Sequence, residues 1–342
     1  MKNEYKKYKL LIEERKEHYT QKKVLEMVDS LEKLNKNNFE IILNSYPFSN
    51  LVGIKWECIK KIIDAPEKNY YNFEISKKSG GKRVINVPNE PLTLCQRYIK
   101  EKILDYIPIH DSANGFASNK SIITNANNHI NKEMILNIDL KDFFPSINSK
   151  KIFYVFKNLC GYNNDLSYCF TKIVMYNGGL PQGACTSPIL SNIVSYKMDV
   201  RLSMLARKMG ITYSRYADDI TFSGEKDKIN DGLLRIVKEI IESCGYKINN
   251  DKIRFQYCKK KQEVTGLIVN NGKVSIPKTY IKKIRQELYF IKKYGITDHK
   301  EKVNIYNRFY KEHLKWKIMF VYSIDKYKGK KLLKEYNSIF ES

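Results

Sequence analysis

The chain has 342 residues, enough for roughly two or three packed units, and 42% apolar with 12% aromatic residues to fill their cores. Its 61 Lys and Arg against 37 Asp and Glu give a formal charge of +24, an excess that needs an anionic partner, and nucleic acid fits best. No run approaches the ~20 apolar residues of a spanning helix, and the charged Met1–Arg15 lacks a signal-peptide core, so no membrane contact and a cytoplasmic location are expected.

In chain order, residues 1–65 read as a polar, basic helical extension with an apolar rhythm at Leu25, Val28, Leu31 and Leu34. The period then changes to that of strands. Tyr70–Ile75 and Arg83–Val87 predict a hairpin with a basic, glycine-rich tip from Lys77 to Lys82. Helices are predicted over Pro91–Ile107, Ser121–Asn131, Lys151–Leu159 and Asp165–Met175, with an apolar strand at Met134–Leu140. Gly178–Pro188 reads as a loop, followed by a long apolar helix from Ile189 to about Ala206. A hairpin around Asp218-Asp219, a helix over Ile229–Cys244 and strands near Tyr246–Asn249, Arg254–Tyr257 and Val264–Val269 follow. From Lys278 onward the pattern is helical and strongly basic.

This pattern predicts an α+β architecture for 66–270, with an antiparallel sheet, and a separate basic helical lobe for 271–342. The seven cysteines contain no Cys-x-x-Cys pair and the five histidines are scattered. A disulfide framework, a zinc site and a His-based metal cluster are therefore not expected.

Carboxylates are the remaining chemistry. Tyr213–Gly224 alternates on either side of Ala217-Asp218-Asp219, which places two adjacent anions at a hairpin tip. Such a pair requires compensation, and magnesium, a hard cation that takes carboxylate and phosphate oxygens, would supply it. Asp139 ends the strand Ile135–Leu140. If that strand neighbours the hairpin, Asp139 and Asp218 face one cleft with Asp219 beside them. Two metal ions about 3.5–4 Å apart in such a cleft clamp an in-line phosphoryl transfer. Asp142, beyond the strand, reads as a turn residue.

Asn137–Phe144 (Asn-Ile-Asp-Leu-Lys-Asp-Phe-Phe), Leu180-Pro181-Gln182-Gly183 and Tyr216-Ala217-Asp218-Asp219 resemble, in order and spacing, three successive motifs of reverse transcriptases. The resemblance covers about residues 70–270. It implies a right-hand polymerase with fingers, a palm of antiparallel sheet and helices, and a helical thumb. It also implies that Asp139, Asp218 and Asp219 are catalytic and hold two Mg²⁺ ions, with the Leu140 carbonyl a further ligand. Phe144 would lie under the sugar of the incoming dNTP, and Gln182 and Gly183 would line its pocket. Lys82 and Arg83 would hold the triphosphate, with Lys252 near the pyrophosphate.

Asn125-Ala126-Asn127-Asn128-His129 and Val264-Thr265-Gly266 look like signatures of bacterial retron reverse transcriptases. That resemblance implies RNA recognition involving Asn125, His129, Val264, Thr265 and Gly266, together with the basic helix bearing Lys282, Lys283 and Arg285. It further implies a structured non-coding RNA that is both template and primer, through the 2′-hydroxyl of a guanosine, giving branched multicopy single-stranded DNA. An effector or toxin protein in anti-phage defence would be a partner. With the sequence ending at Ser342, removal of template RNA is expected to fall to a host RNase H. The competing expectations are a defence-associated or group II intron-like reverse transcriptase with different priming, or an RNA-binding scaffold that restrains an effector.

Overall fold

The computed structural model describes residues 2–76, 80–270, 272–302 and 308–340. Lys77, Lys78 and Ser79 of the expected hairpin tip lie outside them. The amino-terminal region forms α1 (Lys2–Arg15), α2 (Gln21–Lys36), α3 (Ser45–Val52) and α4 (Trp56–Asp64). Thr20 starts α2 by accepting a hydrogen bond from the Lys23 amide, and Met27, Leu31 and Leu34 fall on its buried stripe. These helices are not a separate layer. Leu34, Phe48 and Ile59 belong to the same apolar core as Phe170, Ile138 and Phe222.

Strands β1 (Tyr70–Ser76) and β2 (Lys82–Pro88) form an antiparallel hairpin, with Tyr70 opposite Pro88 and Ser76 opposite Lys82. Helix α5 (Glu90–Lys102) follows, capped by Asn89. It stops short of the expected Ile107, where Leu104–Tyr106 tightens into a 3-10 turn. Helix α6 (Ile122–Asn127) begins at a capping box between Ser121 and Thr124. Next come β3 (Met134–Lys141), α7 (Ser149–Tyr154), a π-helical turn at Val155–Cys160, and α8 (Asn164–Val174). Helix α9 (Ser187–Met209) ends at Gly210, whose φ of +65° is the left-handed conformation that favours glycine.

The sheet that positions the site contains β4 (Thr212–Tyr216) and β5 (Asp219–Gly224), and after α10 (Asp231–Ser243) it takes in β6 (Lys247–Ile248) and β7 (Arg254–Tyr257). β3 is central: β5 pairs along one edge, and β7 then β6 share the other, all antiparallel. Its residues from Met134 to Leu140 are all buried, which explains why it reads as an unbroken apolar run.

The single strand expected at Val264–Val269 is instead two short strands, β8 (Glu263–Val264) and β9 (Leu267–Ile268), joined at Thr265-Gly266. Both turn residues have positive φ, +48° and +81°. That left-handed turn is invisible to β propensity.

The basic carboxyl-terminal region forms α11 (Lys278–Tyr294), α12 (Ile296–Lys302), α13 (Tyr310–Ile324) and α14 (Lys326–Phe340). Its core of Ile284, Leu288, Leu314, Ile318 and Leu332 also takes in Ala126, Ile135, Val264 and Leu267 from the sheet side of the molecule. Among the described residues, no helix is long and apolar enough to cross a membrane.

Candidate active site

The carboxylates converge through register. Asp139 and Asp219 are cross-strand partners on β3 and β5, so their side chains leave the same face. Tyr216 pairs with Asp219, leaving Ala217 and Asp218 as a two-residue turn. The Leu140 amide donates to the Asp218 carbonyl at 3.0 Å, which ties the turn to the end of β3. Ala217 has a φ of +56°, a strained value for a residue with a Cβ.

Burial and then the adjacent Asp218 and Asp139 charges push the Asp219 carboxyl up to about 6, although the residue as a whole is exposed. Burial likewise raises Asp218, with Asp139 adding repulsion and Lys252 and Arg83 opposing it. Mutual repulsion of this kind is relieved by a bound cation. The donors are all oxygen, the kind magnesium takes, although among the described residues no group of three His, Cys, Asp or Glu side chains stands ready-made to hold a metal. Lys252 Nζ lies 2.9 Å from both Asp139 oxygens, so this lysine touches a carboxylate directly.

A family profile described as reverse transcriptase (RNA-dependent DNA polymerase) matches residues 75–271, over half of the chain. The chain belongs to the reverse transcriptase family. It is 34% identical to the retron Ec86 reverse transcriptase of Escherichia coli over 261 residues, 76% of this chain and 81% of that protein. It is 33% identical to the retron Mx162 reverse transcriptase of Myxococcus xanthus over 276 residues, 70% of this chain but 56% of the longer relative. Among solved structures, telomerase from Candida albicans aligns over 81% of this chain and 59% of that one, at 15% identity and a TM-score of 0.44. The relatives make this an RNA-directed DNA polymerase of the retron kind.

In this reverse transcriptase the Leu180–Gly183 loop is strapped to the β1–β2 hairpin. The Asn86 amide donates to the Gln182 carbonyl at 2.8 Å, and the Gln182 amide donates to Asn86 Oδ1 at 3.3 Å. A Cβ on Gly183 would stand 2.6 Å from the Asn86 carbonyl oxygen, and φ there is +139°, so only glycine permits this approach. Asn86 was not visible as a site residue in the sequence. Phe144 is half-buried, 6.0 Å from the Phe116 ring, and Phe116 also lies 6.4 Å from Tyr216. Phe116, with a φ of +60°, is a second residue that sequence reading missed. Arg83 acts electrostatically on Asp218. Lys82 instead pairs with Glu74 at 2.6 Å on the exposed hairpin.

The expected RNA contacts divide. Lys282, Lys283 and Arg285 are exposed on α11. Asn125 and His129 are fully buried, so their side chains cannot touch RNA. His129 bridges Ser223 Oγ at 2.6 Å and Ser214 Oγ at 2.7 Å, and Ser214 Oγ donates to Asn125 Oδ1 at 2.7 Å. Burial pushes the imidazole down to about 3, which keeps it neutral as a bridge between β4 and β5. Val264 is buried in the carboxyl-terminal core, while Thr265 Oγ1 donates to the Ile122 carbonyl at 3.3 Å and Gly266 is exposed. The two retron signatures thus meet where α6 joins the β8–β9 turn.

Proposed function

We propose that this enzyme copies its own structured non-coding RNA into DNA, starting from the 2′-hydroxyl of a guanosine within that RNA, and so makes branched single-stranded DNA for an anti-phage system. The convergence of Asp139, Asp218 and Asp219 at one end of β3 and β5 supports the chemistry. The similarity to retron reverse transcriptases over most of the chain supports the choice of RNA and product.

In this reading the three carboxylates, with the Leu140 carbonyl, hold two Mg²⁺ ions. Bound magnesium would lower the charge cost of attack on the α-phosphate and of pyrophosphate release. The side chains do the positioning. Arg83 meets the triphosphate, and Lys82 joins it only on leaving Glu74. Gln182 and Gly183 line the dNTP pocket through a loop held by Asn86. Phe144, backed by Phe116, stands where a 2′-hydroxyl would sit. Lys252, which a metal on Asp139 would displace, lies near the departing pyrophosphate. The thumb lysines Lys282 and Lys283, with Arg285, track RNA phosphates, since A-form RNA is read largely through phosphates, 2′-hydroxyls and shape. An effector protein and a host RNase H complete the system.

The test is dNTP incorporation with Mg²⁺ on the RNA encoded beside the gene. Asp218→Asn with Asp219→Asn should abolish synthesis; surviving synthesis removes the site assignment. Sequencing the 5′ linkage of the product decides the priming: a 2′–5′ branch is expected, and a conventional 3′-hydroxyl or protein primer refutes it.

A further inference from the structure

Among the polar side chains that α9 buries, Asn192 and Asp199 stand two turns apart, and both lead to the turn that carries Asp218. Asp199 accepts hydrogen bonds from Arg215 Nε at 2.8 Å, Arg215 Nη2 at 2.6 Å and Tyr213 Oη at 2.7 Å. Arg215 Nη1 donates to the Ala217 carbonyl at 3.0 Å. Both members of the Asp199–Arg215 pair are wholly buried. Asn192 Nδ2 donates to the Gly115 carbonyl at 2.8 Å, and Gly115 lies so close that an added Cβ would be 2.5 Å from the Ala217 amide nitrogen. The chain before Gly115 also brackets Arg215: its amide donates to the Ser112 carbonyl at 2.8 Å, and its carbonyl accepts from the Asn114 amide at 2.7 Å.

Stability alone is a poor account of this pair. A wholly buried ion pair loses as much to desolvation as it gains, and apolar residues of similar volume hold such a place equally well. What apolar residues cannot do is present a donor at a fixed distance. The guanidinium is a rigid planar fork. With two arms on Asp199, its third is aimed at the carbonyl of a residue held at an unfavourable φ.

We propose that Asp199 and Arg215 are positioning residues for polymerisation. Through them α9 fixes the left-handed turn at Ala217, and hence the place of Asp218 and Asp219 opposite Asp139. This rests on the reading of those three carboxylates as catalytic.

The test uses the full chain on a primed RNA template, with kcat, KM for dNTP, the Mg²⁺ activation midpoint and thermal unfolding measured together. Asp199→Leu with Arg215→Met removes both charges and the donor to Ala217. That variant should unfold cooperatively, yet lose about 100-fold in kcat, the scale of an ångström-sized misplacement. Its Mg²⁺ midpoint should rise several-fold, while KM for dNTP stays near wild type because Arg83 and Gln182 are untouched. Arg215→Lys keeps the charge pair but loses the fork, and should fall about tenfold in kcat with a raised midpoint. A folded double variant with wild-type kcat and midpoint overturns the proposal. Where the double variant does not fold, Arg215→Lys decides, and an unchanged kcat and midpoint overturns it. Failure of the underlying site reading is separate: Asp139→Asn would then retain synthesis, whatever the Arg215 variants do.

Discussion

Lys252 donates to both carboxylate oxygens of Asp139, each at 2.9 Å. The lysine thus occupies the group that a metal would claim, and it offsets negative charge in the metal-free enzyme. Lys252→Met should lower metal-free stability by about 1 kcal/mol, since the lysine side chain is half exposed. That is a Tm change of about 2–4 °C. Saturating Mg²⁺ should recover the loss. Melting curves with and without Mg²⁺ check this, and an equal deficit in both would refute it.

The Asp219 carboxyl is pushed up to about 6 from an ordinary 3.8. Between those values the folded, metal-free protein binds more protons than the unfolded chain, so its stability falls as pH rises through that window. Bound Mg²⁺ removes this penalty. The gain in Tm on adding Mg²⁺ should therefore grow from about pH 4 to above pH 6, and a gain independent of pH counts against the site.

Phe144 and Phe116 form one aromatic wall beside Tyr216. Phe144→Ala should raise ribonucleotide use relative to dNTPs by about tenfold or more. Phe116→Ala, which removes the ring behind Phe144, should raise it less. Competition between labelled rNTP and dNTP reads both, and unchanged discrimination in Phe144→Ala rejects the steric role.

His129 and the α11 cations should separate cleanly. His129→Ala orphans the buried Ser223 hydroxyl, at about 1–3 kcal/mol, while Ser214 keeps its bond to Asn125. It should lower Tm and leave the salt dependence of RNA binding unchanged. Charge reversal at Lys282, Lys283 and Arg285 should weaken binding and flatten the salt slope, with little change in Tm. A flattened slope in folded His129→Ala would return that histidine to the RNA surface.

Gly115→Ala forces a Cβ against the Ala217 nitrogen and the Tyr216 carbonyl carbon, at 2.5 and 3.1 Å. Both are backbone atoms, so the cost should be about 1–3 kcal/mol. Synthesis should fall in the fraction that remains folded. A variant with wild-type activity and Tm shows that this contact is slack.

Sequence legibility followed local periodicity. The alternation around Asp218-Asp219 revealed the hairpin, and the apolar run ending at Asp139 revealed the central strand, because both patterns lie within a few residues. Asp199 and Arg215 were missed because they meet only in the fold: an Asp in a helix and an Arg in a strand read as surface charges until both are found buried. His129 was misread for the opposite reason. Its motif suggested RNA recognition, whereas the hydroxyls that satisfy it come from β4 and β5, far along the chain. The turn at Thr265 was hidden because left-handed backbone in a non-glycine residue leaves no compositional mark.

Ala126 and Ile135 lie in the same apolar cluster as Leu288, Leu314 and Leu332. A chimera that exchanges only the helices after Gly272, to give the enzyme another relative's RNA preference, would cut through the middle of one core. The grafted lobe would arrive without the floor it packs on. A transplantable unit must carry α6, Ile135 and the β8–β9 turn with the terminal helices. The terminal helices and this part of the sheet region are therefore one packing unit.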